Sequence, residues 1–431
     1  MSIYSYEEAF GDYDKTTTAM RDAVQEWFSL YYGQGSSHED TCQKLAYTVV
    51  HKLVKTIFGE YQVQAQEPVI REILRRLGEH KKEAVQLALV GGECFIKPWV
   101  DERGVSFTLI PRNNVLVFAR NPAGEPVDIG TVEQTARGKH YYTLLERRTV
   151  DEMGYLTISN RLYRSLNAQT LGSSVPLNTL PEYALLAESY RYEKPVNSLG
   201  MVRMKTPILN CVDGSPDGVA VFAAAAGLIR NIDRNEALMN GEFERGQSRV
   251  IVSKDMLGSD GLQDHLFVGL DEDPEQVGIT VFSPALREQS FLARKQEYLR
   301  NMESIIGLRR GMLSDANMEK RTATEITSSH GDFNLTVIEF QVMWENALRK
   351  TVELCCQLAR LYGFDAPENT KLSVDWGNGV LHDEDKAWLE YKGMVESGLL
   401  KPEVALGWRF GMPTNTEEEL AEIRKRYMPE A

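Results

Sequence analysis

His38, Glu39, Asp40 and Cys42 are the nearest approach to a metal-ligand cluster in this 431-residue chain. Imidazole, carboxylate and thiolate could together hold zinc, but structural zinc sites repeat such ligands at set spacings. The seven histidines are scattered and none pairs with a cysteine in that way, so 38–42 reads as a solvated loop. Asp271, Glu272, Asp273 and Glu275 form the densest acidic stretch and could attract calcium. They lack the alternating spacing that aims carboxylates at one ion, and Pro274 interrupts them. No GxxxxGK[ST] or GxGxxG stands ready to cradle phosphate, and no HExxH or GxSxG to activate water or serine. The expectation is therefore no catalytic residue, no metal and no cofactor. One segment has a different charge. Between 308 and 321, Arg309, Arg310, Lys320 and Arg321 outnumber Asp315 and Glu319, in a chain whose net charge is -14. Such a cluster can hold phosphate weakly without reading bases.

The acidic balance excludes a protein that grips nucleic acid over a wide surface, because such binders gain affinity by setting Lys and Arg on phosphates. It is compatible with a wall past which DNA slides, though composition alone favours plain solubility. With 42% hydrophobic and 26% charged residues the chain is an ordinary folded one, long enough for two or three domains. Five cysteines without a CxxC give no disulfide framework and point to a reducing compartment. No signal peptide opens the sequence, and its longest apolar run, 219–229, is too short for a bilayer. Synthesis in a cytoplasm without membrane insertion is expected.

The elements that position these residues follow from periodicity. Residues 1–60 read as amphipathic helices with Phe28, Tyr31 and Tyr32 on one face, and 67–90 as a further helix. Strands are predicted at 93–100, 105–110, 115–119, 140–150 and 155–163, an antiparallel meander in an α+β region ending near Asp213. Three long helices come next. Ser215-Pro216 predicts the start of one that runs to Arg245 and stops at Gly246. Ser283-Pro284 opens the second, which closes at Gly307. Thr322 and Glu325 have capping-box spacing and open the third, which ends at Gly363. Gly331, after two serines and a histidine, either bends this helix or divides it in two. Between the first two helices lies an insert with strands at 249–253 and 279–282; after the third come a strand at 371–376 and a helical tail from 383 to 427.

This order resembles the portal proteins, or head-to-tail connectors, of long-tailed bacteriophages, and the resemblance covers nearly the whole chain. Lys320-Arg321-Thr322-Ala323-Thr324-Glu325-Ile326 is similar to the family's recurrent helix start after its tunnel loop. Gly91-Gly92-Glu93-Cys94-Phe95-Ile96-Lys97-Pro98 resembles its wing motif, and Ser215-Pro216-Asp217-Gly218-Val219-Ala220-Val221-Phe222 the start of its first stem helix. The implied layout is an α+β wing (1–214), a stem helix (215–246) and a small β clip (247–283). A second stem helix (284–306), a tunnel loop (307–321), a long kinked crest helix with a strand (322–378) and a helical crown (379–431) complete it. Clip and crown are short for the family.

The resemblance implies a dodecameric ring at one capsid vertex of the virion, assembled in host cytoplasm. Double-stranded DNA would pass through it non-specifically in packaging and ejection. Terminase, a head-tail adaptor and the major capsid or scaffold proteins are the implied partners, and the portal itself has no enzymatic activity. Arg309 and Arg310 are the expected DNA contacts; Lys320 and Arg321 either join them or serve only the helix start. Gly307 and Gly311 would leave that loop free to move. The insert holds seven acidic residues against two basic ones. Asp271, Glu272, Asp273 and Glu275 in it either dock a basic partner or merely keep it soluble. Ala220, Ala223, Ala224 and Gly227 either let neighbouring subunits approach or pack inside one chain. The other readings are a minor head protein without a channel and an α+β enzyme.

Overall fold

The computed structural model describes residues 6–34, 41–101, 104–246, 249–253, 267–270, 280–282, 285–315, 323–377, 384–410, 412–414 and 416–428. The chain forms two compact units, Met1–Phe58 with Val63–Val374 and Gly59–Gln62 with Asp375–Ala431. It is α+β, as the sequence indicated.

The larger unit opens with α1 (Glu7–Phe10), α2 (Thr18–Tyr32) and α3 (Leu45–Ile57). Thr17 caps α2 by accepting the Met20 amide, and Met20, Val24, Trp27, Phe28 and Tyr31 bury one stripe of it. Tyr32, expected on the same face, stays 48% exposed. A short strand β1 (Gln62–Gln64) precedes α4 (Pro68–Gly91). Pro68 starts α4 where no amide partner is needed, and Gly92 ends it at φ 80°.

Two antiparallel sheets follow. β2 (Glu93–Asp101), β3 (Gly104–Pro111) and, later, β10 (Val202–Lys205) form a three-stranded sheet with β2 central. β4 (Val115–Arg120), β5 (Pro126–Arg137), β6 (His140–Val150), β7 (Leu156–Ser165) and β8 (Ser173–Val175) form the second in sequence order, with β9 (Ser189–Arg191) also pairing to β7. Phe95, Ile110, Val115, Val117, Ile129, Leu199 and Met201 make a shared core between them.

The long helices are α5 (Ala226–Arg245), α6 (Glu288–Ile306) and α7 (Ala323–Leu361). α5 and α6 run antiparallel. Glu242 meets Arg287 at 2.6 Å, Glu236 meets Lys295 at 2.9 Å, and Asn235 donates to the Phe291 carbonyl at 3.1 Å. Between them β11 (Arg249–Ser253) pairs in parallel with β12 (Phe267–Leu270) and antiparallel with β13 (Thr280–Phe282). α7 is one continuous helix through Gly331, so the divided alternative does not hold. Its 39 residues extend roughly 60 Å at 1.5 Å per residue. Phe333, Val337, Phe340, Trp344, Ala347 and Leu348 bury one face of it. Next is β14 (Ser373–Asp375), which pairs with β1.

The smaller unit contains α8 (Glu384–Glu396), α9 (Pro402–Phe410) and α10 (Glu417–Tyr427). Stacked rings tie these helices together, Tyr391 on Trp408 and Phe410 on Tyr427. Thr416 and Glu419 close a capping box at the start of α10.

Candidate functional site

The basic segment begins where α6 stops. Gly307 takes φ 77°, and both its amide and that of Leu308 donate to the Glu303 carbonyl, the second at 2.8 Å. This closure satisfies a carbonyl that the helix end leaves open. A Cβ on Gly307 would come within 2.5 Å of Thr336 Oγ1, so a bare backbone also suits the approach of α7.

The next residues fold back onto α6. Glu303 is 1% exposed. Its Oε1 accepts the amides of Gly311 at 3.1 Å, Leu313 at 2.6 Å and Ser314 at 2.9 Å, and its Oε2 accepts the Ser314 hydroxyl at 2.8 Å. Lys52 of α3 donates to the Met312 carbonyl, and Gln296 of α6 accepts the Asp315 amide at 2.8 Å. Gly311 sits at φ 88°, held inside this turn. The two glycines thus supply the left-handed backbone that this hydrogen-bonded turn requires. Arg309 and Arg310 both stand exposed on this turn. Lys320 and Arg321 lie outside the described residues.

A second assembly roots the paired helices. The two motifs at 91–98 and 215–222, far apart in sequence, pack directly on each other. Glu93, 1% exposed, accepts the Gly218 amide at 2.6 Å and a guanidinium hydrogen bond from Arg203. Arg112 lies 3.9 Å from Glu93 and 3.3 Å from Asp217, which also accepts Arg120 at 2.6 Å. Thr206 takes the Gly92 carbonyl with its amide at 2.9 Å and the Val219 carbonyl with its hydroxyl at 2.8 Å. The Val221 amide reaches the Leu89 carbonyl at 2.9 Å. Burial pushes the Glu93 carboxyl upward, but the charges of Arg203 and Arg112 and the Gly218 amide outweigh it and hold the group at about 2.

This packing corrects the expected start of α5. Ser215 does not cap a helix: its hydroxyl donates to Asp217 Oδ2 at 3.1 Å. Residues 215–222 are not helical, 223–225 form one 3-10 turn, and α5 begins at Ala226. Ala220 is 1% exposed inside this core, so its small side chain serves packing within the chain and cannot face a neighbour. Ala223 is half-buried, and Ala224 and Gly227 are exposed. The acidic residues Asp271, Glu272, Asp273 and Glu275 lie outside the described residues.

The sequence reading missed Glu303. One signal was available: a carboxylate in the last turn of a helix opposes the macrodipole, which favours cations there. Its use as an acceptor for the following turn resolves that conflict. Among the described residues no group of three or more His, Cys, Asp or Glu could hold a metal, and no helix is long and apolar enough to cross a membrane. The five cysteines are free thiols, and burial pushes Cys355 up to about 12, away from reactivity.

Comparison with curated proteins finds no match. The family described as Phage portal protein, SPP1 Gp6-like, matches residues 62–427, from β1 through both sheets and the three long helices to the end of α10. With most of its length matched, the chain belongs to the phage portal protein family of the SPP1 Gp6-like kind.

Proposed function

We propose that about twelve copies of this chain close into a ring at one capsid vertex, with an axial channel for double-stranded DNA. The family match over 62–427 is the observation that carries this reading. The antiparallel pair α5 and α6 supports it: the pair buries few large side chains within one chain, and Leu238, Phe243, Leu292 and Ile305 are left exposed. Neighbouring subunits cover such a pair in a ring, with Ala224 and Gly227 allowing close approach. The insert at 247–283 docks terminase during packaging and the head-tail adaptor afterwards, through Asp271, Glu272, Asp273 and Glu275. Capsid or scaffold proteins surround the ring, and the ATPase that drives DNA is a separate protein. Light scattering and negative-stain microscopy test the assembly. The expected result is a closed ring with a central hole; only monomer across all salt and protein concentrations overturns it.

Arg309 and Arg310 line the channel and hold phosphate without reading sequence. Arg309→Ala with Arg310→Ala is expected to leave rings intact and to lower the fraction of heads that package or retain DNA. Both side chains are exposed, so the fold should not suffer. Full heads at normal yield and stability from the double variant would remove the two arginines from this role.

A further inference from the structure

We propose that Glu303 is a positioning residue that holds Arg309 and Arg310 as a rigid rim of charge. This rests on the channel reading above. The turn after α6 curls several backbone amides toward one point, a concave nest of the kind that elsewhere binds phosphate. Here the chain's own carboxylate fills that nest: Glu303 Oε1 takes Gly311, Leu313 and Ser314, and Oε2 takes the Ser314 hydroxyl. Two consequences follow from the occupancy. The nest is not available to a DNA phosphate, so contact with the backbone of DNA falls to the arginine side chains. Charge-assisted bonds to a buried carboxylate are also among the stronger hydrogen bonds a turn can have. Lys52 on Met312 and Gln296 on Asp315 brace the same turn from α3 and from α6. Arg309 and Arg310 therefore move with the end of α6 and not independently of it.

Hydrogen exchange on the intact protein reads this directly. In Glu303→Ala the amides of Gly311, Leu313 and Ser314 should exchange about a hundredfold faster, the scale of losing one charge-assisted hydrogen bond at each. Tryptic cleavage after Arg309 or Arg310 should accelerate in parallel, while amides in β5 and β6 keep their protection. Glu303→Gln retains an acceptor for the three amides and an NH2 that can donate to Ser314 Oγ. It should restore both the protection and DNA retention, which a role in bulk stability alone would not separate from the alanine variant. Ser314→Ala, which removes one of the four bonds, should lie between. Unchanged exchange in Glu303→Ala overturns the proposal. So does faster exchange at the three amides with DNA retention left intact. If the unaltered chain formed no ring, the channel reading would fail instead, and exchange at these amides would still decide whether Glu303 fixes the turn.

Discussion

Gly92→Ala is expected to destabilise the protein by at least about 3 kcal/mol. Two penalties combine there. Gly92 has φ 80°, which L side chains resist. The new Cβ would also lie 2.3 Å from the carbonyl carbon and oxygen of Gly218, both backbone atoms that cannot swing aside. Relief requires moving 215–219, and with it the Glu93–Gly218 bond and the root of α5. Gly138 separates the two effects, because it has φ 61° and nothing within 4 Å of its added Cβ. Gly138→Ala should cost only the conformational strain, about 1–2 kcal/mol. Denaturant midpoints of the two variants measure the difference. Equal midpoints would show that the backbones at Gly92 and Gly218 are not in close contact.

The second large effect is expected from Glu93→Ala, at about 3–5 kcal/mol, because it leaves Arg112 and Arg203 buried with one carboxylate fewer. The same carboxyl gives the protein a defined acid sensitivity. Its folded value of about 2 lies below its ordinary 4.5, so folding disfavours the bound proton. The stabilisation is then fully present above 4.5 and is lost as the pH falls toward 2. Glu146 behaves alike. Burial raises its carboxyl, but Arg148 and Lys97 more than compensate and hold it at about 2. Unfolding curves between pH 7 and pH 2 should therefore steepen below about 4.5. Glu93→Gln should be less stable at neutral pH and less dependent on pH in the acid range. A parallel pH profile in that variant would mean that other carboxyls govern the acid transition.

Much of the scaffold was legible in the sequence because local chemistry and global packing agree. Pro68 and Gly92 mark the ends of α4, and Gly307 marks the end of α6, as the sequence rules require. The strand at His140–Val150 was read from its residues alone. β5 was not, because its inward positions do not alternate: Ile129, Gly130, Thr131 and Val117 opposite Ile129 share a bulged, doubly covered stretch. The start of α5 was misread for a related reason. A buried apolar run such as Val219–Phe222 looks the same in a helix and in an irregular segment within a core. Ser-Pro then imitates a cap, while Asp217 in fact claims the serine hydroxyl. β12 is four residues long and pairs in parallel, with too little pattern to read. Arg309 and Arg310 stood out by composition. Glu303 could not, since its role depends on which amides the chain folds over it.

The interlock of Glu93 with Gly218 also sets a schedule for biosynthesis. The two residues are 125 positions apart, which at about 5–20 residues per second is roughly 6–25 s of ribosome travel. During that interval β2 has emerged with a carboxyl whose partners Arg203 and Gly218 do not yet exist. Arg112 alone then faces the Glu93 carboxyl, and the buried cluster is completed only when the chain that leads into α5 has been made. A fragment that stops at residue 214 would lack Asp217 and Gly218, which complete the buried cluster around Arg112 and Glu93.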